Sequence, residues 1–259
     1  MFPRIRRASP LLLLIPALAA AAPSDPAGTR DAGPRAGAPE LRVTFVDSEA
    51  HAFTAEERRE IERIGRDALA EIAARLSGVP ERIELMVEAG DAVIPETGDG
   101  GLALAPGRIG WTVDPEREGG VLGVARARLR LTLFHEVHHL ARGWTVQGGT
   151  VGNRMIDAAV SEGMATAFER DAAGYRPPWG EYPAEEAADW VDELLEAPGF
   201  EAYATYMFQH PDGRRWIGYR AGTWLTDRAM AECGCSAADL VSTPTDEILE
   251  LAGVSGRIR

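Results

Sequence analysis

The chain has 259 residues and a formal net charge of −13, with 40 acidic and 27 basic side chains. Hydrophobic residues make up 45% of the chain, which is enough for a sizeable core in one large domain or two small ones. The acidic balance argues against nucleic acid and against anionic membrane surfaces as partners.

The first 22 residues have the composition of an export signal. Three arginines within residues 1–7 precede an apolar stretch, 11–22, that is too short to span a bilayer comfortably. Ala17-Leu18-Ala19 offers a cleavage site. We therefore predict that residues 1–22 are a signal peptide and that the protein is exported, periplasmic or extracellular, with no stable membrane association after cleavage. An uncleaved membrane anchor is the alternative.

Residues 23–40 are rich in proline, glycine and alanine and show no hydrophobic periodicity. This composition is typical of a disordered linker, because such a segment buries too little apolar surface to offset the loss of chain entropy. We therefore expect the folded domain to occupy residues 41–259.

The first part of this domain shows strand and helix patterns in turn. A helix is predicted to begin at Thr54, because Thr54 and Glu57 have the spacing of a capping box and apolar residues then recur at helical spacing to Ser77-Gly78. The pattern predicts a β-α-β-β unit, a small mixed sheet packed on a helix. Its strands are expected at residues 41–46, 83–87, 102–105 and 108–113, and the last two could form a hairpin across Pro106-Gly107.

The segment His135-Glu136-Val137-His138-His139 has the spacing H-E-x-x-H within a predicted helix, Arg126–Arg142. Helical residues four apart lie on one face, about 5–6 Å apart at Cβ, so His135 and His139 can share one Zn²⁺ at about 2.0–2.1 Å. Glu136 lies beside that face, where it can act as general base toward a metal-activated water. The opposite face is apolar and predicts packing on a core. An amphipathic helix with surface histidines is the alternative.

A catalytic zinc site needs a third protein ligand and keeps one position open for water. The next predicted helix, 154–172, carries Glu162 on a face of mostly small residues that could approach the first helix closely. Glu169 lies on the same face two turns later and could be a ligand or orient a ligand histidine. Asp157 points roughly 140° away and is a poor candidate. A further arrangement uses His138 in place of His139 or Glu162.

Two motifs resemble those of a known family. The H-E-x-H-H of residues 135–139 is followed on the next predicted helix by Glu162-Gly163-Met164-Ala165, an E-G-x-A pattern. In this order they are similar to a family of predicted Zn-dependent proteases of unknown function, of the gluzincin (peptidase MA-like) group. Pro178-Trp179 and Gly218-Tyr219-Arg220-Ala221-Gly222 are weaker points of likeness, and the likeness spans residues 41–252.

The resemblance implies that residues 41–259 form a gluzincin-like metallopeptidase domain acting on a peptide or protein substrate. His135, His139 and Glu162 would bind one Zn²⁺, and Glu136 would be the base. Gluzincins carry an acidic residue four positions after the ligand glutamate, where this chain has Thr166. The residue that orients the histidines therefore stays open.

The resemblance also bears on the strand that contains Ile109 and Trp111. It raises an edge strand that pairs with an extended peptide substrate to equal standing with an ordinary strand of the sheet.

The remainder of the chain is predicted to be mainly helical. Tyr219, in a helix at 216–232, is our candidate donor toward the developing oxyanion, with a buried structural tyrosine as the alternative and His210 as a second candidate. The aromatic stretch 200–209 predicts core or a substrate wall. Cys233 and Cys235 could pair across Gly234 in an oxidising compartment, and a metal role for them is disfavoured because the chain has no second cysteine pair.

The predicted fold class is α+β, a small N-terminal mixed sheet with a helix followed by a mainly helical, zincin-type half. The predicted function is that of an exported zinc-dependent peptidase. Two alternatives remain: a catalytically degenerate protein that binds a peptide without cutting it, and a zinc hydrolase of a non-peptide amide or ester. The presence of all the catalytic residue types disfavours the first.

Overall fold

The computed structural model describes residues 39–49 and 51–254. The predicted signal peptide and all but two residues of the predicted linker lie outside the described residues. Within them the fold is α+β, as predicted: a four-stranded mixed sheet comes first and helices follow.

The sheet has the strand order β1-β2-β4-β3. β1 and β2 are parallel, β2 and β4 are parallel, and β3 and β4 form the predicted antiparallel hairpin. β3 begins three residues earlier than expected, and β1 begins at the last residue of the predicted linker. The strands are β1 (Glu40–Val46), β2 (Arg82–Ala89), β3 (Asp99–Ala105) and β4 (Arg108–Val113).

Of the two alternatives for the strand with Ile109 and Trp111, the edge strand is wrong and the ordinary sheet strand is correct. This strand is β4, and it lies between β2 and β3. Because β4 pairs in parallel with β2, its hairpin partner β3 must take the outer position. The edge strand on this side of the sheet is therefore β3.

One face of the sheet is packed and the other is more exposed, so apolar and polar residues alternate along β2 and β4. Helix α1 (Ala55–Ala73) and the predicted metal helix share a core with the packed face. The capping box is confirmed: Thr54 N–H donates to Glu57 Oε2 at 2.7 Å, and Glu57 N–H donates to Thr54 Oγ1 at 3.2 Å.

The metal helix belongs to one longer helical run. Helix α2 (Gly120–Val124) leads into a π-helical turn, Ala125–Leu129, and then into α3 (Arg130–Arg142). Gly143 ends α3 in the left-handed region, with φ 79°. The next helix, α4 (Met155–Phe168), likewise continues into a π-helical turn, Glu169–Ala173.

The C-terminal helices build a second core with α4. They are α5 (Ala184–Glu196), α6 (Tyr203–Met207), α7 (Ile217–Cys233) and α8 (Thr245–Leu251). Cys233 and Cys235 form a disulfide at the end of α7. In the described part of the chain, no helix combines the length and the apolar character needed to cross a membrane.

Helices α4 and α7 cross in backbone contact at Gly163 and Gly222. A Cβ atom on Gly222 would lie 2.6 Å from the carbonyl carbon of Ala159, and a Cβ on Gly163 would overlap the Gly222 backbone. The closest approach of the small face of α4 is therefore to α7, whereas the sequence predicted it toward the first helix. The crossing places Glu162 of α4 beside Tyr219 of α7.

Candidate metal centre

Two helices bring three potential ligands together. The Nε2 atoms of His135 and His139, one turn apart on α3, are 3.0 Å from each other. Oε2 of Glu162, on α4, lies 3.1 Å from each of these nitrogens. All three side chains are buried, with residue exposures of 8%, 3% and 4% in that order.

This arrangement fits a zinc ion by donor type and by spacing. Zinc prefers imidazole nitrogen and carboxylate oxygen, and bonds of about 2.0–2.1 Å in a tetrahedral site imply ligand atoms roughly 3.3 Å apart. The observed separations of 3.0 and 3.1 Å are close to that value. Among the described residues, His135, His139 and Glu162 are the one group of His, Cys, Asp or Glu side chains near enough to share an ion.

The second oxygen of Glu162 is held by two aromatic residues. The Tyr203 hydroxyl donates to Oε1 at 2.9 Å, and Trp144 Nε1 donates to the same atom at 3.4 Å. These contacts leave Oε2 free to face the imidazoles. Burial opposes ionisation of Glu162, but the two histidines outweigh it and hold its pKa well below the ordinary value.

The side chain of Glu136 extends from α3 toward the edge strand β3. It is 6% exposed, and the Ala103 N–H donates to its carboxylate. Gly101 of β3 is needed for this contact, because a Cβ there would lie 2.6 Å from Glu136 Oε1. Burial raises the pKa of Glu136 above its ordinary value.

A carboxylate also faces the outer nitrogen of His135. Glu169 Oε2, in the π-helical turn after α4, lies 3.5 Å from His135 Nδ1. Burial lowers the pKa of His135, but Glu162 and Glu169 outweigh it and raise that pKa to about 10. Glu169 thus lies outside the ligand group, against the side of His135 that faces away from Glu162.

Glu169 is linked in turn to a buried charge network. Arg128 Nη2 lies 4.0 Å from Glu169 Oε1, and Arg128 Nε donates to Asp99 Oδ1 at 3.3 Å. The other oxygen of Asp99 accepts from Thr132 Oγ1 at 2.6 Å and from Trp111 Nε1 at 3.1 Å. Sequence reasoning missed Asp99, Arg128 and Thr132. The spacing of Arg128 and Thr132 before His135 is a helical stripe that could have indicated two of them.

A cleft opens beside Glu136. Tyr219 lines it together with His135, and the two rings are 6.3 Å apart. Burial and the negative charge of Glu162 raise the pKa of Tyr219 well above its ordinary value, so the phenol remains a proton donor. The cleft is lined by Ile94, Asp99, Gly100, Gly101, Arg128, Thr132, His135, Glu136, Glu169, Trp179, Phe208, Trp216 and Tyr219.

Three other candidates lie elsewhere. His138 is fully buried and packs on Phe168, with ring centroids 5.5 Å apart. Asp157 pairs with Arg154 at 2.7 Å. His210 pairs with Asp212 at 2.8 Å and is not among the residues that line the cleft. Tyr203 and Trp144, which contact Glu162, were not singled out by the sequence as site residues, because nothing in their local pattern connects them to α4.

No curated protein and no solved structure matches this chain. A family model described as "Predicted Zn-dependent protease (DUF2268)" matches residues 62–250, a range that contains α3, α4, the cleft and both π-helical turns. The chain therefore belongs to this family of predicted Zn-dependent proteases.

Proposed function

We propose that this protein is a zinc-dependent peptidase with a gluzincin-type site. His135, His139 and Glu162 hold one Zn²⁺, and Glu136 is the general base. The observation that carries the proposal is the convergence of two imidazole nitrogens and one carboxylate oxygen within 3.0–3.1 Å of one another. Membership of the family supports the same metal and the same class of reaction.

When bound, zinc supplies Lewis acidity, which polarises the scissile carbonyl and lowers the pKa of a coordinated water toward 7. Glu136 accepts the proton that the attacking water loses and delivers it to the nitrogen of the leaving amine. The burial that raises the pKa of Glu136 suits this role, because it brings the pKa of the carboxyl closer to neutral pH.

Tyr219 donates a hydrogen bond to the oxyanion that develops on the carbonyl oxygen. Its place on the cleft wall beside His135 supports this role, and its raised pKa keeps the hydroxyl protonated. Glu169 holds His135 in the orientation that directs Nε2 to the metal.

The edge of β3 offers a peptide one pairing position beside the proposed base. Asp99 and Ala103 direct their carbonyl groups away from β4, toward Ile94 N–H and Val146 N–H, each at 3.0 Å. Every second residue of a strand directs its N–H and C=O to the same side. Gly101 lies midway between Asp99 and Ala103, so its N–H and C=O also point away from β4. Gly101 contacts Glu136, so a peptide paired there would pass the proposed base.

We also propose that the protein is exported and acts in the periplasm or outside the cell. The basis is the composition of residues 1–22, in which three arginines are followed by an apolar stretch. N-terminal sequencing of the protein recovered from outside the cytoplasm would test this proposal, and recovery of an intact chain in the cytoplasm would contradict it.

Two substitutions test the site. Glu162→Ala is expected to lose zinc, and Glu136→Gln is expected to keep zinc and lose turnover of a peptide mixture. Glu185→Gln, an exposed carboxylate on α5, is the matched control and is expected to change neither zinc content nor turnover. An active Glu136→Gln protein would exclude Glu136 as the base.

The two alternative functions predict different results when peptides and other substrates are incubated with the protein. A degenerate peptide-binding protein would bind peptides and leave them intact with or without a chelator. A zinc hydrolase of non-peptide amides or esters would turn over such compounds in a chelator-sensitive way and leave a peptide library uncut.

A further inference from the structure

We propose that the cleft beside Glu136 is a subsite for one large apolar side chain of the substrate, and that this side chain dominates substrate selection. The inference rests on the proposed peptidase function and adds the class of peptide that the site takes. It is drawn from the walls of the cleft, from its floor and from the short free edge of β3.

The walls of the cleft are apolar and come from separate parts of the chain. Ile94 lies between β2 and β3, whereas Trp179, Phe208 and Trp216 lie in the helical half. Trp179 and Trp216 are 6% and 8% exposed, and their rings are 6.0 Å apart. The indole N–H of Trp179 is buried and has no hydrogen-bond partner among the described residues.

Two walls are tied to each other. Arg215 Nη1 lies 2.6 Å from Glu96 Oε1, and the Arg215 guanidinium lies 4.0 Å from the Trp216 ring. Arg117 donates to the carbonyl oxygens of Pro95 and Glu96 at 2.7 and 2.8 Å. These contacts fix the segments that carry Ile94 and Trp216, so the apolar cleft is preformed.

The floor of the cleft is charged and mostly acidic: the carboxylates of Asp99, Glu136 and Glu169 lie there with Arg128 and His135. Asp99 pairs with Arg128 at 3.3 Å, and Arg128 lies 4.0 Å from Glu169, which also faces His135. An acidic substrate side chain entering the cleft would lose its hydration and meet carboxylates of the same charge there. A large apolar side chain loses no such hydration and gains contact with the walls.

Main-chain pairing along β3 can add little selectivity. On one side of Gly101 the edge is occupied by Ile94, whose N–H donates to Asp99 O at 3.0 Å. On the other side Val146 N–H donates to Ala103 O at 3.0 Å, and Gln147 N–H donates to Leu104 O at 2.9 Å. A peptide therefore meets one free edge residue, Gly101, and most of its recognition must come from a side chain.

The first test measures cleavage. A randomised peptide library is digested with the zinc-loaded protein and the products are sequenced by mass spectrometry. We expect Leu, Phe or Met at one position flanking the cut, with kcat/KM about 10- to 100-fold higher than for peptides with Gly or Asp there. Cleavage that is equally fast for all residues at every flanking position would overturn the subsite and leave the peptidase function intact.

The second test measures binding without cleavage. Zinc-loaded Glu136→Gln protein is titrated with acetylated, amidated alanine heptapeptides carrying Leu, Phe, Gly or Asp at the centre. Trp179 and Trp216 make intrinsic fluorescence a direct readout. The Leu and Phe peptides are expected to bind about 10-fold or more tightly than the others. Selective binding here, together with no cleavage by the unsubstituted protein in the first test, would support the subsite and refute the peptidase. Equal binding of all four peptides would overturn the subsite.

A substitution in the wall tests whether the preference for apolar side chains comes from this cleft or from apolar surface elsewhere. Ile94→Asp is expected to remove the preference for Leu and Phe in both tests, because it places a charge on a partly buried wall. Val46→Asp is the matched control: Val46 is 40% exposed and lies on β1, at the opposite edge of the sheet. The subsite is refuted if Ile94→Asp, folded by circular dichroism, keeps the same preference as Val46→Asp.

Discussion

Glu169 Oε2 lies 3.5 Å from His135 Nδ1, on the side of the imidazole opposite to the nitrogen that faces Glu162. Thr166 lies four residues after Glu162, and its buried hydroxyl has no hydrogen-bond partner among the described residues. Glu169 lies three residues further on, where α4 changes to a π-helical turn, and we propose that its carboxylate orients His135. That turn carries Glu169 into the site.

Glu169→Gln is expected to weaken zinc binding by about 10- to 100-fold, because it removes the charge that fixes the tautomer and orientation of His135. Competition with a chromophoric chelator measures the affinity. Asp171→Asn in the same turn is the control: it also exchanges a carboxylate for an amide, but Asp171 is exposed and pairs with Arg170. Equal affinities of the two variants would show that Glu169 does not orient the ligand.

Zinc binding is expected to release about one proton per site between pH 7 and 9. Without metal the pKa of His135 is raised to about 10, so the ring is protonated in this range and must lose its proton to bind zinc. The apparent affinity should therefore rise about tenfold per pH unit toward pH 10. Isothermal titration in buffers of different ionisation enthalpy measures the released proton, and identical heats in all buffers would contradict the prediction.

The same raised pKa affects the stability of the metal-free protein. A folded-state pKa above the unfolded value means that the protonated form is stabilised in the folded state, so this contribution is complete below the ordinary value of 6.5 and disappears as pH rises through about 10. Metal-free protein should thus unfold at lower denaturant concentration at pH 10 than at pH 6. His135→Gln should reduce this pH dependence, and an unchanged dependence would show that another group is responsible.

Tyr219→Phe is expected to lower kcat by about 10²- to 10³-fold, because it removes a donor used in the transition state. Zinc should stay bound, because His135, His139 and Glu162 all remain. Steady-state kinetics on a cleaved peptide measures the loss. Tyr206→Phe is the control, since Tyr206 packs near His210, which does not line the cleft. A Tyr219→Phe enzyme with the wild-type kcat would show that Tyr219 lines the cleft without donating to the oxyanion.

Gly222→Ala is expected to destabilise the protein by about 2–3 kcal/mol, because the new methyl group would overlap the Ala159 carbonyl and force α4 and α7 apart. Chemical denaturation measures the loss, and weaker zinc binding should accompany it, since α4 carries Glu162. Gly90→Ala should stay within about 0.5 kcal/mol, because its Cβ would meet its nearest neighbour at an ordinary 3.6 Å. Equal stability of the two variants would show that close contact between α4 and α7 at Gly222 is not needed for stability.

The sequence determined the local features of this protein. Helical periodicity and the capping box located α1, the H-E-x-x-H spacing put His135 and His139 on one face, and alternation located the strands. The α+β class follows from their order along the chain. Each of these depends on residues within a few positions of one another, where the geometry of the backbone fixes which side chains share a face.

Only the tertiary structure decided the contacts between distant segments. It placed β4 inside the sheet and β3 at the edge, brought Tyr203 and Trp144 onto Glu162, and joined Asp99 to Arg128 and Glu169. A hairpin can occupy either side of a neighbouring strand without any change in its own alternation, and an aromatic residue is apolar in sequence whether it fills a core or donates to a carboxylate. These outcomes depend on which elements pack together, because long-range packing is a property of the whole fold and is not encoded in any single stretch.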